Sequence, residues 1–216
     1  MKEIKKDIWI QATSFPLNKA LEFLCVLPIT ENWTGKKILD FGCGAGRDSV
    51  FLAKSGADVY GVDIIQTNLD YAKKLCKVNK VKAKFKLIKE KDDIPYPTNF
   101  FDGIICNGVL HHIKHVEEIV DEFRRVLKPG GMVYVMLYTE DLFRLDLNNI
   151  INVIKNNPEK TWQRCFGEMT DKCNYTTFYS IYEAQVLFVP RSFTYLVSIP
   201  YHDFQFRIFK FRNDKI

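Results

Sequence analysis

The side chains suited to chemistry fall into three groups. Gly42, Gly44 and Gly46 alternate through ILDFGCGAGRD, just beyond Asp40. Glycine loses more backbone freedom on folding than any other residue, so this density belongs where a chain turns sharply and approaches a ligand. Asp63 closes VYGVD, about twenty residues past the loop. A carboxylate there can accept from a vicinal diol, through charge-assisted bonds of roughly 1.5–3 kcal/mol each. The third group is His111, His112 and His115 in LHHIKH. Histidine titrates near neutrality and can serve as a base. Each of the three also reads as ordinary, His112 as a packed residue and His115 as a solvated helix start. His111 is the candidate catalytic base. No metal is expected, because no acids stand at ligand spacing and none of the six cysteines forms a C-x-x-C pair.

Strands must end at these groups to position them. GKKILDFG reads as an apolar strand running into the glycine loop, and RDSVFLAKSG as the following helix, stopped by Gly56. ADVYGVDI is a second strand, and NLDYAKKLCKVN a helix with Leu69, Ala72, Leu75 and Cys76 on one face. KAKFKLIK, FDGIICN and GMVYVMLY read as strands three to five, with the helix VEEIVDEFRRVL before the last. Apolar strands alternating with helices over 37–138 predict a parallel sheet covered on both faces. Ligands of such sheets gather beyond the carboxyl ends of the strands.

Around this core, LNKALEFLCVL predicts a helical lead-in over 1–35, and LNNIINVIKNNP a short helix. SIYEAQVLF opens with a capping box of Ser180 and Glu183. SFTYLVSI and FQFRIFKF are the last two strands, and the phase shift in the second predicts a bulge. A single domain over 1–216 is expected, with the lead-in at 1–35, a ligand-binding core at 36–138 and a substrate side at 139–216.

The glycine spacing departs from the dinucleotide pattern G-x-G-x-x-G, since Arg47 stands where the third glycine falls. No G-x-x-x-x-G-K-[ST] loop is present either, which argues against a P-loop nucleotide enzyme. No apolar run reaches the length of a membrane span, and MKEIKKDIWIQ does not read as a signal peptide, so a cytoplasmic location is expected. The formal charge is +5, with lysine read as spread along the chain. That predicts a solvated surface over a nucleic-acid one, and with no apolar span no membrane partner is expected either.

At this point ILDFGCGAGRDSVFLAKSGADVYGVDI, DDIPYPTNFFDGIICNGVLHHI and EEIVDEFRRVLKPGGMVYV resemble, in order and spacing, the class I S-adenosylmethionine-dependent methyltransferases. The resemblance covers roughly residues 33–138. It implies an α/β fold, a doubly wound Rossmann-like seven-stranded sheet, mostly parallel with an antiparallel C-terminal hairpin. It implies S-adenosylmethionine as cofactor and S-adenosylhomocysteine as product. Asp40 and the backbone of Gly42, Cys43, Gly44 and Gly46 would hold the amino-acid end of the cofactor. Asp63 would take the ribose, Ile64 would pack on the adenine, and Glu90, Lys91 or Asp92 would read the adenine edge. Asn107 would border the methionine part.

The expected activity is methyl transfer to an O or N atom of a small-molecule acceptor by in-line displacement. The aromatic residues Tyr138, Trp162, Phe166, Tyr175, Phe178, Tyr179 and Tyr182 mark the acceptor side, and Trp9 and Phe15 are candidates for a lid. Two other readings stand beside this one: a cofactor-binding sensor or partner subunit without transfer, and an NAD-dependent oxidoreductase.

Overall fold

The computed structural model describes residues 31–89, 93–139, 155, 176–201 and 206–215. The lead-in before Glu31, the helix expected at LNNIINVIKNNP, and Trp9, Phe15, Trp162, Phe166 and Tyr175 lie outside the described residues. A seven-stranded sheet carries the fold. Its strands are β1 (Lys37–Phe41), β2 (Asp58–Asp63), β3 (Ala83–Leu87), β4 (Phe101–Asn107), β5 (Leu127–Tyr138), β6 (Phe193–Tyr201) and β7 (Phe206–Asn213). The order is β3-β2-β1-β4-β5-β7-β6. β1 to β5 run parallel, and β7 lies antiparallel between β5 and β6.

The helices are α1 (Arg47–Lys54), α2 (Gln66–Val78), α3 (Val116–Val126) and α4 (Ile181–Phe188). In α3, Val116, Ile119, Val120, Phe123 and Val126 recur at helical spacing and are all buried. They pack on Leu39, Phe41, Ile104, Val133 and Val135 of the central strands. On the other side Trp33, Ile38, Leu52, Val59, Ile105 and Tyr134 form a second cluster. The central strands are apolar on both faces for this reason. α4 has the expected cap: Ser180 Oγ accepts from the Glu183 amide, and the Glu183 carboxylate accepts from the Ser180 amide at 2.7 Å.

Two local expectations are corrected. The stretch Lys128–Gly130, ahead of the strand expected at GMVYVMLY, does not stand outside that strand. It lies within β5 and opposes a shift in pairing, Phe101 facing Leu127 and Gly103 facing Met132. The bulge expected in the last strand sits on its neighbour, between Tyr195 and Val197 of β6, while β7 pairs with β5 without a break. The phase shift in β7 has another cause. Phe209 and Phe211 enter the main core while Ile208 is buried on the opposite face, so neither face of the strand reads as polar.

Candidate functional site

β1 pairs with β2 on one side and β4 on the other, so strand order reverses there and a crevice opens beyond the carboxyl ends. A cavity of about 380 Å³ occupies it. Its wall brings together Gly42, Gly44, Asp63, Ile64 and Asn107 of the expected site.

The glycine loop is shaped by contacts that leave no room for side chains. Gly42 has φ +71, and a Cβ there would fall 2.3 Å from Val109 Cγ2. At Gly46, φ is +82 and a Cβ would stand 2.6 Å from that of Ala72, so this residue lets the start of α1 meet α2. Gly44 has φ +50 and nothing within 4 Å of its Cβ position, the open side of the loop.

Asp63 is buried at the end of β2. Its Oδ2 accepts from the Gly44 amide at 2.8 Å. Oδ1 accepts from the Ile65 amide at 2.8 Å and from Asn68 Nδ2 at 3.2 Å. A carboxylate has about four acceptor positions, so the one left to fill is at Oδ2. The acid therefore clips the loop to β2 and can still accept one hydrogen bond.

Asp40, Cys43 and Gly46 are absent from the cavity wall. Asp40 is buried behind the loop, where its Oδ2 accepts from Ser49 Oγ at 2.5 Å. Burial first, then the charge of Asp48, pushes its carboxyl up to about 8. Burial also raises Asp48, whose Oδ2 accepts from Asn107 Nδ2 at 2.9 Å. That bond ties the start of α1 to the end of β4. Cys43 is buried with a raised thiol, and its Sγ lies 3.0 Å from where a Cβ on Gly61 would stand. Glu90, Lys91 and Asp92 lie outside the described residues. Just past them, Ile94 and Tyr96 are tied to α3: Ile94 N donates to Glu122, and Arg125 donates to the carbonyls of Ile94 and Tyr96.

Of the adjacent histidines, His112 lines the cavity and His111 does not. Both belong to a 3₁₀ turn, Leu110–His112, which aims neighbouring side chains in different directions. His111 is 1% exposed, its ring 4.1 Å from that of Tyr138. The backbone amide of Tyr138 lies 3.4 Å from its Nδ1. His112 Nδ1 stands 3.2 Å from Thr176 Oγ1. The segment at 176–179 holds this pair in place. Thr177 N donates to the His111 carbonyl and Tyr179 N to that of Tyr138. Of the aromatic residues expected on the acceptor side, Tyr138, Phe178 and Tyr179 are buried while Tyr182 is 73% exposed.

The wall also holds residues that carry no sequence signal. Ile88, Val109, Ile113 and Ile119 resemble core residues in sequence, because an apolar wall and an apolar core have the same composition. Asn68 could have been found, since it lies in the first turn of the helix that follows Asp63.

Residues 39–135 match the family model described as a methyltransferase domain. The fold is close to that of an S-adenosylmethionine-dependent methyltransferase of Methanosarcina mazei, with TM-score 0.68 at 21% identity over 89% of this chain and 99% of that one. Residues 39–135 are a methyltransferase domain, set in a fold of this kind. Among curated relatives, the ubiquinone biosynthesis O-methyltransferase of Actinobacillus pleuropneumoniae is 33% identical over 104 residues, which is 46% of this chain and 44% of that protein. The demethylmenaquinone methyltransferase of Tropheryma whipplei is 33% identical over 104 residues, 47% of this chain and 41% of its own length. The chain therefore spans less than half the length of the curated relatives it matches.

The methyltransferase cofactor is S-adenosylmethionine, and the wall has the groups to fit it. Gly44 is open, Asp63 has one acceptor position remaining, and Ile64 and Ile65 present apolar surface at 57% and 48% exposure. Among the described residues, no group of three His, Cys, Asp or Glu could hold a metal ion. No described helix is long and apolar enough to cross a membrane.

Proposed function

We propose that the protein transfers a methyl group from S-adenosylmethionine to an O or N atom of a small-molecule acceptor by in-line displacement. The observation that carries this reading is the convergence of the glycine loop, Asp63 and His112 on one apolar-walled cavity. The cofactor supplies the activated methyl carbon, so the chain has to bind, align and exclude water. Asp63 Oδ2 accepts from one ribose hydroxyl, and Asn68, beside it in the wall, serves the other. Ile64, Ile65 and Ile88 cover the adenine. The loop backbone from Gly42 to Gly46 receives the amino-acid end, with Asp40 and Asp48 bracing it from behind. His112, oriented by Thr176, takes the proton when the acceptor is a hydroxyl; a neutral amine does not require this step. The residues at 139–216 provide the acceptor side of the same unit. The quinone-pathway names of the curated relatives favour a phenolic or quinol-like acceptor.

The test has two parts. Calorimetry with S-adenosylhomocysteine should give saturable binding, whereas stabilisation by NAD in its place would overturn the reading. Transfer of labelled methyl to a panel of phenols and amines then separates an enzyme from a cofactor sensor. For a hydroxyl acceptor, His112→Ala should lower kcat by about 10²-fold or more with cofactor affinity unchanged. An equal loss in His111→Ala alone would move the base to the buried residue.

A further inference from the structure

Lysine is not spread evenly over the folded chain. Between Lys73 and Lys89 there are eight lysines, no arginine and no acid. This stretch is net +8 in a chain of net +5, so everything else together is net −3. All eight lysines are exposed. The fold gathers them on one edge. β3 is the outermost strand, and α2 packs over it through Leu75, Cys76, Ala83 and Phe85. Lys73 and Lys77 of α2 share a groove with Lys82 and Lys84 at β3. Among the described residues, Asp58 pairs with Lys84 at 2.9 Å, and Asp70 lies 3.9 Å from Lys73.

Lysine on an edge strand discourages unwanted strand pairing, which accounts for Lys82, Lys84 and Lys86. It does not account for Lys73, Lys74, Lys77 and Lys80, on α2 and the turn after it. Large apolar side chains accompany the charge. Val78 ends α2 at 59% exposure, and Leu87 on β3 is 52% exposed. Leu87 pairs with Asp63, so the edge runs up to the cavity, where Ile64, Ile65 and Lys89 are in the wall.

We propose that the α2–β3 edge docks the protein on an anionic lipid bilayer, with the lysines on the headgroup phosphates and Leu87, beside the cavity, facing the membrane. Lysine is a flexible, hydrated point charge suited to a diffuse anionic surface. Nucleic-acid faces draw on arginine forks and on exposed aromatic rings for stacking. This edge has no arginine, and its two aromatic residues, Tyr71 and Phe85, are partly buried. The docking surface goes beyond methyl transfer and does not rest on it. It departs from the expectation of no membrane partner, which concerned apolar spans.

The test is co-sedimentation of the full chain with two kinds of vesicle, phosphatidylcholine alone and phosphatidylcholine mixed with phosphatidylglycerol. Binding is expected to the mixed vesicles only, weakening as salt rises. Each lysine near an anionic surface changes partitioning roughly fivefold, so Lys73→Glu/Lys77→Glu/Lys82→Glu should lose about a hundredfold or more. None of these three lines the cofactor cavity, so melting temperature and affinity for S-adenosylhomocysteine should match the wild type. The neutral K73Q/K77Q/K82Q variant should lose about a hundredfold, the smaller of the two losses, and it replaces the charge-reversed chain should that one melt lower. Equal binding to both vesicles, binding to neither, or vesicle binding unaffected by the substitutions overturns the proposal. So does binding to single-stranded RNA that is tighter than to vesicles and lost in the same variants.

Discussion

At φ +71, with Val109 Cγ2 only 2.3 Å from its Cβ position, Gly42 is constrained twice. Gly42→Ala should lower stability by about 2–4 kcal/mol, the sum of left-handed strain and overpacking. Adding Val109→Ala should recover the packing part and leave the strain, as chemical denaturation can resolve. Gly44→Ala meets open space, so its stability cost should stop at about 1–2 kcal/mol. Its methyl group lies on the ligand side, and cofactor affinity by calorimetry should fall about tenfold or more. Asp63 has two tasks, clipping the loop and facing the ligand. Asp63→Asn keeps the shape but puts an NH₂ against a backbone amide, Gly44 or Ile65, so melting temperature and cofactor affinity should fall together. Asp40 gives a pH signature. Its folded pKa of about 8 lies above the ordinary carboxylate range because of burial and then Asp48, with Asp63 adding a little. The unfolded chain therefore holds fewer protons than the folded one between about pH 4 and 8, and stability falls as pH rises through that window. Asp40→Asn keeps an oxygen for Ser49 and removes the titration. Thermal melts should show it gaining on the wild type at pH 8 and converging with it near pH 5.

Among the elements, the brace between α3 and the segment after β3 has the clearest consequence for the site. Arg125 and Glu122 pair at 2.6 Å. Burial pushes Glu122 upward, but Arg125 and the Ile94 amide hold it below the usual carboxylate range. The pair grips Ile94 and Tyr96 through their backbone, at the exit of the segment expected to read the adenine. Arg125→Met should loosen that grip. Cofactor KM should then rise severalfold while kcat at saturation stays near the wild-type value, a split that steady-state kinetics reads directly. The helices and strands were largely legible in the sequence. Leu69, Ala72, Leu75 and Cys76 lie at helical spacing, and the Ser180–Glu183 box marks the start of α4 four residues ahead of Ala184. Such signals come from residues within a turn or two of each other. The bulge was misplaced onto β7 because Ile208 and Phe209 are both buried, and a strand covered on two faces loses the alternation that reports its phase.

At the scale of the whole molecule, the order of the strands matters most. Placing β1 between β2 and β4 brings Asp63, the glycine loop and Asn107 to one crevice, and placing β3 outermost turns a lysine-rich stretch into a charged edge. The half of the crevice proposed to hold the cofactor could be picked out in the sequence. Its glycines answer a local backbone requirement, and its acid follows at a distance set by one helix and one strand. The acceptor half could not. Whether His111 or His112 reaches the cavity depends on a single 3₁₀ turn, and on Thr176 and Thr177, which return to it from more than sixty residues along the chain. The lysine run from Lys73 to Lys89 stands in the sequence itself, but its place on an edge of the sheet does not. A sequence records how many charges there are and how they are spaced, but which strand is left without a neighbour is settled by pairing between distant segments.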